Sequence, residues 1–204
     1  MMRTAQADPS TKERLLNAAQ TLMLAKGFSA TTVDEICEAA KLTKGSFFHY
    51  FQSKDHLGRV LLERFCAAGQ ELQAGFCGKE EDPLKRVLGY VEATIKCCRD
   101  PAMSKGCLLG AFAQELSDTN PQIRSACAQG FERWARHFGG ELAQAKAKYA
   151  PRAAFDPHAV AEHFIALLEG SLIMAKARKD SRLVERNLTQ FRSYLKTLFK
   201  REER

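Results

Sequence analysis

The stretch from Thr31 to Lys54 carries the side chains best suited to bind a polyanion. Positions 41–54 hold three lysines and no acidic residue. Ammonium and hydroxyl groups donate hydrogen bonds to phosphate oxygens, and some of them also reach the edges of bases. This composition predicts a DNA-binding surface. The predicted DNA-binding residues are Thr31, Thr32, Thr43, Lys44, Gly45, Ser46, Phe48, His49, Tyr50 and Lys54.

Each residue type in this set suits a contact with a duplex. Lys44 can donate to a guanine edge or to a phosphate. Gly45 has no side chain, so the backbone can approach the duplex closely there. Thr31 and Thr32 combine hydroxyl groups with a predicted helix N-terminus, which itself attracts anions. The remaining hydroxyl and imidazole groups suit phosphate oxygens.

Two short helices joined by a tight turn would present these residues. In residues 33–40 the apolar side chains recur at helical spacing and share one face. A three-residue turn follows, in which Leu42 can reach the core and Thr43 can cap the next helix. In residues 44–50 the inner side carries Phe47. This is the helix-turn-helix layout, in which the start of the second helix meets base edges in the major groove.

A plain helical bundle is the alternative for this segment. It accounts for the apolar residues of the two helices, which any core would need. It does not account for Gly45 and two outward aromatic residues, Phe48 and Tyr50, on so short a helix. These residues lower helix stability, and a solvated face has no use for them.

The rest of the chain also has helical periodicity, with no sustained alternation of period two. Helix starts are marked by capping residues followed by proline at Asp82-Pro83, Asn120-Pro121 and Asp156-Pro157. We predict an all-α fold of about nine helices, with a three-helix head at 1–52 and a helical body for ligand binding and dimerisation at 53–204. The predicted helices cover about 11–26, 33–40, 44–50, 54–76, 83–98, 104–117, 121–148, 157–178 and 181–200.

Charge and composition set the broad class. The net charge is +7, but residues 1–56 contribute only +1 and residues 176–204 contribute +6. Global charge is therefore poor evidence for DNA binding, and the basic C-terminal residues fit a solvated face or salt bridges. No continuous apolar run approaches the roughly 18 residues of a membrane span, and no stretch resembles a signal peptide. We expect a cytoplasmic protein without a membrane partner.

The segment described above resembles the signature of the TetR (tetracycline-repressor-like) family of transcriptional regulators. The matching elements are GFSATTVDEI, a three-residue turn, TKGSFFHYF and SKDHL, in this order. The resemblance covers roughly residues 10–57 and implies that the first three helices bind DNA. Two positions depart from it, because Lys41 stands where the family usually has glycine and Phe48 where tyrosine is common. A left-handed conformation at Lys41 would cost on the order of 1 kcal/mol.

The resemblance further implies a homodimer formed by the last two helices. Its two heads would read half-sites of a near-palindromic operator on double-stranded DNA, about one helical turn apart. Apolar residues of the last predicted helix recur at the spacing of a helix-packing seam, which suits this assembly. The predicted dimer interface is Phe164, Leu168, Leu172, Leu188, Phe191 and Leu195.

The resemblance also implies that a small effector binds the protein. Family members bind it in a cavity of the helical body, which changes the spacing of the heads and releases DNA, and repression is their usual mode. Plain core packing is the alternative for each residue that we assign to the cavity. The predicted ligand-binding residues are Phe65, Tyr90, Cys107, Phe112, Trp134, Phe138 and Phe164.

The cysteines allow an alternative function. Cys107 follows Lys105 by two residues and lies near a predicted helix start, and both features lower a thiol's pKa. The alternative is therefore a regulator that senses an electrophile or oxidant through Cys107. A metal sensor built on Cys97, Cys98 and Cys107 has weaker support, because their spacing matches no zinc pattern. We predict no metal, no cofactor and, in the absence of GxSxG, HExxH, CxxC or phosphate-loop motifs, no enzyme.

Overall fold

The computed structural model describes residues 10–77, 80–99 and 106–200, and all regular structure in this part of the chain is α-helical. The predicted all-α fold is confirmed. The helices are α1 (Thr11–Lys26), α2 (Val33–Ala40), α3 (Lys44–Tyr50), α4 (Lys54–Cys77), α5 (Pro83–Cys98), α6 (Leu108–Leu116), α7 (Pro121–Tyr149), α8 (Pro157–Arg178) and α9 (Arg182–Lys200).

Side-chain caps start most of these helices where the sequence predicts them. At α2, Thr32 Oγ1 accepts a hydrogen bond from Glu35 N (3.2 Å), and the Glu35 carboxylate accepts one from Thr32 N (2.9 Å). This reciprocal pair is a capping box. Asp82, Asn120 and Asp156 each cap a helix that begins with proline.

Helix α6 was predicted to begin at about position 104. Residues 104 and 105 lie outside the described residues, and in the described part the helix begins at Leu108. Gly106 has a φ of +123°, a conformation that favours glycine, and it turns the chain there. Cys107 is the N-cap residue with extended backbone angles, so the helix starts at Leu108.

Two apolar clusters form the core. The first joins the head to α4, α6 and the start of α7, and includes Phe47, Leu61 and Phe112. The second lies among α5, α7, α8 and α9, and includes Phe164 and Leu188. Because the first cluster is continuous from the head into α4 and α6, a shift of these two helices displaces the head as well. The boundary after residue 52 stays a prediction.

The predicted dimer interface faces the interior of a single chain. Leu172 is half-buried and borders an internal cavity. The other five residues pack α8 and α9 against α5 and α7, so the prediction is wrong for these five. For Leu172 it stays a prediction. Helical spacing identifies an apolar stripe but not the neighbour that covers it. The five residues, each at most 5% exposed, are Phe164, Leu168, Leu188, Phe191 and Leu195.

The outward side of α8 is also apolar. Ile173 and Met174 are 47% and 42% exposed. By length and mean hydropathy alone α8 passes as a membrane span. Within the protein, 33% of its 18-residue apolar window is buried. That test is weak for a single helix, whereas an exposed apolar face is typical of a surface that another chain covers. The exposed or half-buried positions, three and four residues apart, are Ala159, His163, Ala166, Gly170, Ile173 and Ala177.

The turn after α2 contains the strained residue that the sequence indicates. Lys41 has left-handed backbone angles (φ 53°, ψ 48°) and its N–H donates to the carbonyls at the end of α2. Arg14 on α1 donates from Nη2 to Ala40 O (2.7 Å) and Lys41 O (3.3 Å). The guanidinium thereby satisfies carbonyls that the end of a helix leaves unpaired.

Candidate DNA-binding face and ligand cavity

Contacts beneath the turn between α2 and α3 fix the orientation of α3. Leu42 N donates to Cys37 O (2.8 Å), and the Cys37 thiol donates to Thr43 O (3.6 Å). Thr43 Oγ1 accepts from Ser46 N (3.1 Å) and caps α3. Phe47 is completely buried under the helix. These contacts leave the first residues of α3 facing outward.

Lys44 and Asp34 form an ion pair on this outward surface. The distance from Lys44 Nζ to Asp34 Oδ1 is 2.8 Å, and the two side chains are 63% and 64% exposed. The hydrogen bond from Lys44 to Asp34, together with the charge of Asp34, raises the pKa of Lys44. The Lys44 ammonium has two further N–H donors, which remain available to a partner outside the chain. The sequence did not single out Asp34, because an acidic residue in the first turn of a helix is ordinary.

Gly45 is not required by the fold. A Cβ at this position would meet only Thr43 Oγ1, at 3.6 Å, which is an ordinary contact. Gly45 lies within α3 and has no positive φ. Glycine inside a helix costs about 1 kcal/mol relative to alanine. The glycine therefore leaves open space on the outer side of α3.

Most of the predicted DNA-binding set is exposed. Phe48 and Tyr50 are 56% and 38% exposed, and the His49 ring meets the Tyr50 ring edge-on with 4.7 Å between centroids. Ser46 is half-buried, with Oγ 3.1 Å from the hydroxyl of the α3 cap. Contact of these side chains with DNA stays a prediction. The exposed members are Thr32, Thr43, Lys44, Gly45, Phe48, His49 and Tyr50.

Two members of the predicted set hold the loop between α1 and α2 instead. Thr31 is completely buried, and its Oγ1 donates to Gly27 O (2.7 Å). Lys54 Nζ donates to Phe28 O (3.0 Å) and Thr31 O (2.9 Å). Neither side chain is available to a phosphate in this arrangement, which corrects the expectation for both residues.

Glu115 ties α6 to the same loop. Its carboxylate accepts hydrogen bonds from the backbone N–H groups of Phe28 and Ser29, both at 2.7 Å. Burial raises the pKa of Glu115, but these hydrogen bonds and the charge of Lys54 outweigh it, so the pKa is lowered overall. No sequence signal marked Glu115, because Phe28 is 87 residues away along the chain.

A mainly apolar cavity of about 160 Å³, here called the central cavity, lies in the body. Four of the predicted ligand-binding residues line it, namely Phe65, Tyr90, Cys107 and Trp134. Trp134 Nε1 donates to Tyr90 Oη at 2.8 Å. The other lining residues are Gln20, Leu24, Cys66, Gly69, Gln70, Thr94, Cys97, Cys98, Gly106, Leu109, Gly130, Arg133, Leu168 and Leu172.

The other three predicted ligand-binding residues do not line the central cavity. Phe112 is 1% exposed and its ring packs edge-on against Phe28, with 5.3 Å between centroids. Phe138 and Phe164 are completely buried and lie 5.0 Å apart between centroids. All three are core residues, so the prediction that they contact a ligand is wrong.

A wider depression of about 630 Å³, here called the junction cleft, lies between the end of α1, α6 and α8. It shares Leu24, Gly106, Cys107 and Leu172 with the central cavity. The central cavity and the junction cleft therefore meet where α6 begins, beside the end of α1.

Cys107 is not an activated thiol in this structure. It is 9% exposed, and burial together with the Glu169 carboxyl raises its pKa well above the ordinary value. Lys105, the other half of the expectation, lies outside the described residues. Burial also raises the pKa of Cys98 to about 11. In the described part of the chain, no group of three or more His, Cys, Asp or Glu residues could hold a metal ion.

Comparison with known families agrees with this architecture. Residues 15–59 match the bacterial regulatory proteins of the tetR family, and residues 83–191 match the tetracyclin repressor-like C-terminal domain. The second match alone spans more than half of the chain. The chain belongs to the TetR family of DNA-binding transcriptional regulators.

Individual relatives give the same assignment. The chain is 27% identical to the HTH-type transcriptional repressor DhaR of Mycobacterium sp. (strain GP1), over 87% of this chain and 88% of the relative. It is 31% identical to the transcriptional regulator AcuR of Cereibacter sphaeroides, over 80% of this chain and 75% of the relative. The crystal structure of a regulatory protein TetR from Rhodobacter sphaeroides superposes with a TM-score of 0.81 at 27% identity, covering 91% of this chain and 98% of the other. The predicted fold and regulatory function are confirmed.

Proposed function

We propose that the protein is a cytoplasmic repressor that binds a near-palindromic operator as a homodimer and releases it when a small effector enters the central cavity. The exposed start of α3 carries this proposal. There Gly45 has no role in the fold, and the ammonium of Lys44 lies on the outer surface. A glycine beside an exposed cation suits a close approach to a duplex.

In the complex, α3 enters the major groove with its N-terminal end first. Lys44 donates to a guanine edge or a phosphate, while the backbone at Gly45 approaches the duplex. Phe48 offers an apolar contact to a thymine methyl group. The proposed phosphate contacts come from Thr32, Thr43, Ser46, His49 and Tyr50.

The proposed dimer buries the outward side of α8 and α9. Ile173 on α8 and Tyr194 on α9 are 47% and 39% exposed. The His163 ring lies 5.7 Å from the Tyr194 ring, so both helices contribute to one surface. Burial of this surface in a two-fold interface removes apolar area from water, and the symmetry repeats each contact.

Helix α6 connects the central cavity with the head. Its N-cap residue Cys107 and Leu109 in its first turn border the cavity, and Glu115 in its last turn binds the loop before α2. A helix moves as a rigid element, so an effector that displaces the start of α6 also displaces Glu115 and the attached loop. The proposed outcome is a changed separation of the two heads and loss of operator binding.

The test is selection of genomic fragments with the purified full chain, followed by fluorescence anisotropy on the recovered duplex. We expect a near-palindromic sequence and an affinity that falls steeply with salt, because bound phosphates release counterions. Equal affinity for recovered and random duplexes would contradict the proposal.

A further inference from the structure

The size of the central cavity limits its ligand. A cavity of about 150 Å³ holds one benzene molecule, and the central cavity measures about 160 Å³. A ligand of about one ring, or a chain of a few carbon atoms, would fill it. Larger effectors would have to open the wall towards the junction cleft.

Most of the wall suits a hydrocarbon. Leu109, Leu168 and Leu172 line the cavity from α6 and α8, and Phe65 lines it from α4. The cavity-lining thiols at Cys98 and Cys107 have raised pKa values and stay protonated at neutral pH. No negative charge from these thiols therefore opposes an anionic ligand.

Arg133 is the exception in this wall. Among the described residues that line the cavity, it is the only charged side chain. Together with Gln70 it also borders a surface groove that contains Arg136 and His137, so it lies at the outer end of the cavity. Arg133 is half-buried as a residue, and its guanidinium has no hydrogen bond or ion pair with any described residue. By contrast, Arg136 in the next turn of α7 is paired with Glu132 at 2.9 Å.

An unpaired arginine that lines both an apolar cavity and its outer groove suits an anionic partner. Partial burial of a charge is costly unless the charge is paired. The planar guanidinium fits a carboxylate with two parallel hydrogen bonds. A phosphate would bring a second negative charge, which the cavity's other described residues do not neutralise.

We propose that the effector is a small apolar monocarboxylic acid. Its carboxylate pairs with Arg133 at the outer end of the central cavity, and its hydrocarbon part fills the space between the leucine and aromatic side chains. This inference rests on the proposed effector-released repressor, since it names the chemical class of the effector.

The test uses three acids, benzoate, crotonate and hexanoate, and the primary amide of each. Trp134 is the only tryptophan and lines the cavity, so its fluorescence reports binding directly. We expect at least one acid to bind about tenfold or more tightly than its amide, because a charge-assisted pair replaces a neutral one. The same acid should weaken operator binding.

Arg133→Gln should lower the affinity for that acid by about tenfold or more and leave the affinity for its amide unchanged. Arg136→Gln is the matched control, because this arginine borders the same groove but already has a partner. Circular dichroism and operator binding of both variants verify the fold.

The proposal is overturned if no acid binds more tightly than its amide, or if the two arginine variants have the same effect. Operator binding by the ligand-free protein separates this failure from that of the repressor itself. If the operator is bound but no acid is preferred, only the effector class is wrong. If no operator is bound, the proposed function is wrong.

Discussion

Gly45 and Lys41 are both unfavourable residues for their local conformations. Gly45 lies inside α3, where alanine would be more stable, and Lys41 has the left-handed backbone that favours glycine. At Lys41 the structure explains how the strain is tolerated, because Arg14 and the backbone of α2 fix the turn. At Gly45 no contact within the described chain requires glycine, and a close approach of the duplex is the reason that we propose.

Gly45→Ala should therefore have opposite effects on folding and binding. The free energy of unfolding should rise by about 0.5–1 kcal/mol, measured by urea denaturation. Operator affinity should fall by about 1–2 kcal/mol, because the methyl group fills the space that a close duplex needs.

Gly140→Ala on α7 is the matched control, since a Cβ there meets nothing within 4 Å and a Cβ at Gly45 meets only Thr43 Oγ1, at an ordinary 3.6 Å. It should stabilise the fold to a similar extent and leave operator affinity unchanged. An unchanged operator affinity for Gly45→Ala would mean that the duplex does not approach this residue.

Cys107 gives a prediction with a defined pH dependence. Its raised pKa means that the thiolate is scarce at pH 8 and increases only as the pH approaches the raised value. Alkylation by iodoacetamide requires the thiolate. We expect the Cys107 peptide, followed by mass spectrometry, to react more slowly in the folded protein than in urea and to speed up at higher pH. Equal rates in both states at pH 7 would restore the electrophile-sensor alternative.

At the scale of helices, α6 is the element that contacts both the central cavity and the head. Its start forms part of the cavity wall, and its end binds the loop between α1 and α2 through Glu115. The carboxylate accepts two backbone hydrogen bonds, so the loop follows any displacement of α6. α4 provides a second connection, since Arg64 Nη1 donates to Glu13 on α1 at 2.7 Å.

Glu115→Gln should loosen this connection. We expect the free energy of unfolding to fall by about 1 kcal/mol, less than for a buried charged hydrogen bond because the site is exposed. Hydrogen exchange at the Phe28 and Ser29 amides should become faster. Since the folded pKa of Glu115 lies below 4.5, the difference should be present above that pH and disappear as the pH falls through the folded value.

Glu63→Gln is the control for this experiment, because Glu63 is an exposed carboxylate of α4. It should change neither stability nor exchange at the two amides. Unchanged amide exchange in Glu115→Gln would remove α6 from the proposed path.

Helix positions were predictable because their signals are local. Asp82 and Asn120 cap the backbone two or three residues ahead, and the prolines that follow them fix the first turn. Packing partners were not predictable from the sequence. The apolar side chains along one face of α9 can pack either against the same chain or against a second chain. Thr31 and Thr32 are neighbours with the same chemistry, yet one is buried and the other exposed. Glu115 was missed because its partners are remote in sequence.

At the scale of the whole molecule, dimerisation determines whether two heads can read one operator. The apolar side chains that the sequence assigned to the interface stabilise the single chain instead. We propose the outward face of α8 as the dimer interface instead, since it exposes Ile173 and Met174 beside small residues. Small side chains allow two helices to approach closely.

Ile173→Glu should convert the dimer into a monomer in light scattering at micromolar concentration, because it places an unpaired carboxylate in the interface. The fold should be retained, since Ile173 is 47% exposed within the chain. Ala67→Glu, on an exposed position of α4, should leave the dimer intact. The same mass for both variants would show that α8 is not the interface.

Operator binding by Lys44→Ala tests the central claim most directly, namely that the start of α3 reads DNA. Affinity is measured on the recovered operator and on a scrambled duplex of equal length, with Lys85→Ala on the exposed side of α5 as the control. We predict a loss of about 1–3 kcal/mol on the operator and a smaller loss on the scrambled duplex, with no change for the control. An equal loss on both duplexes would make Lys44 a phosphate contact only. No loss on either duplex would contradict the claim that the start of α3 binds DNA.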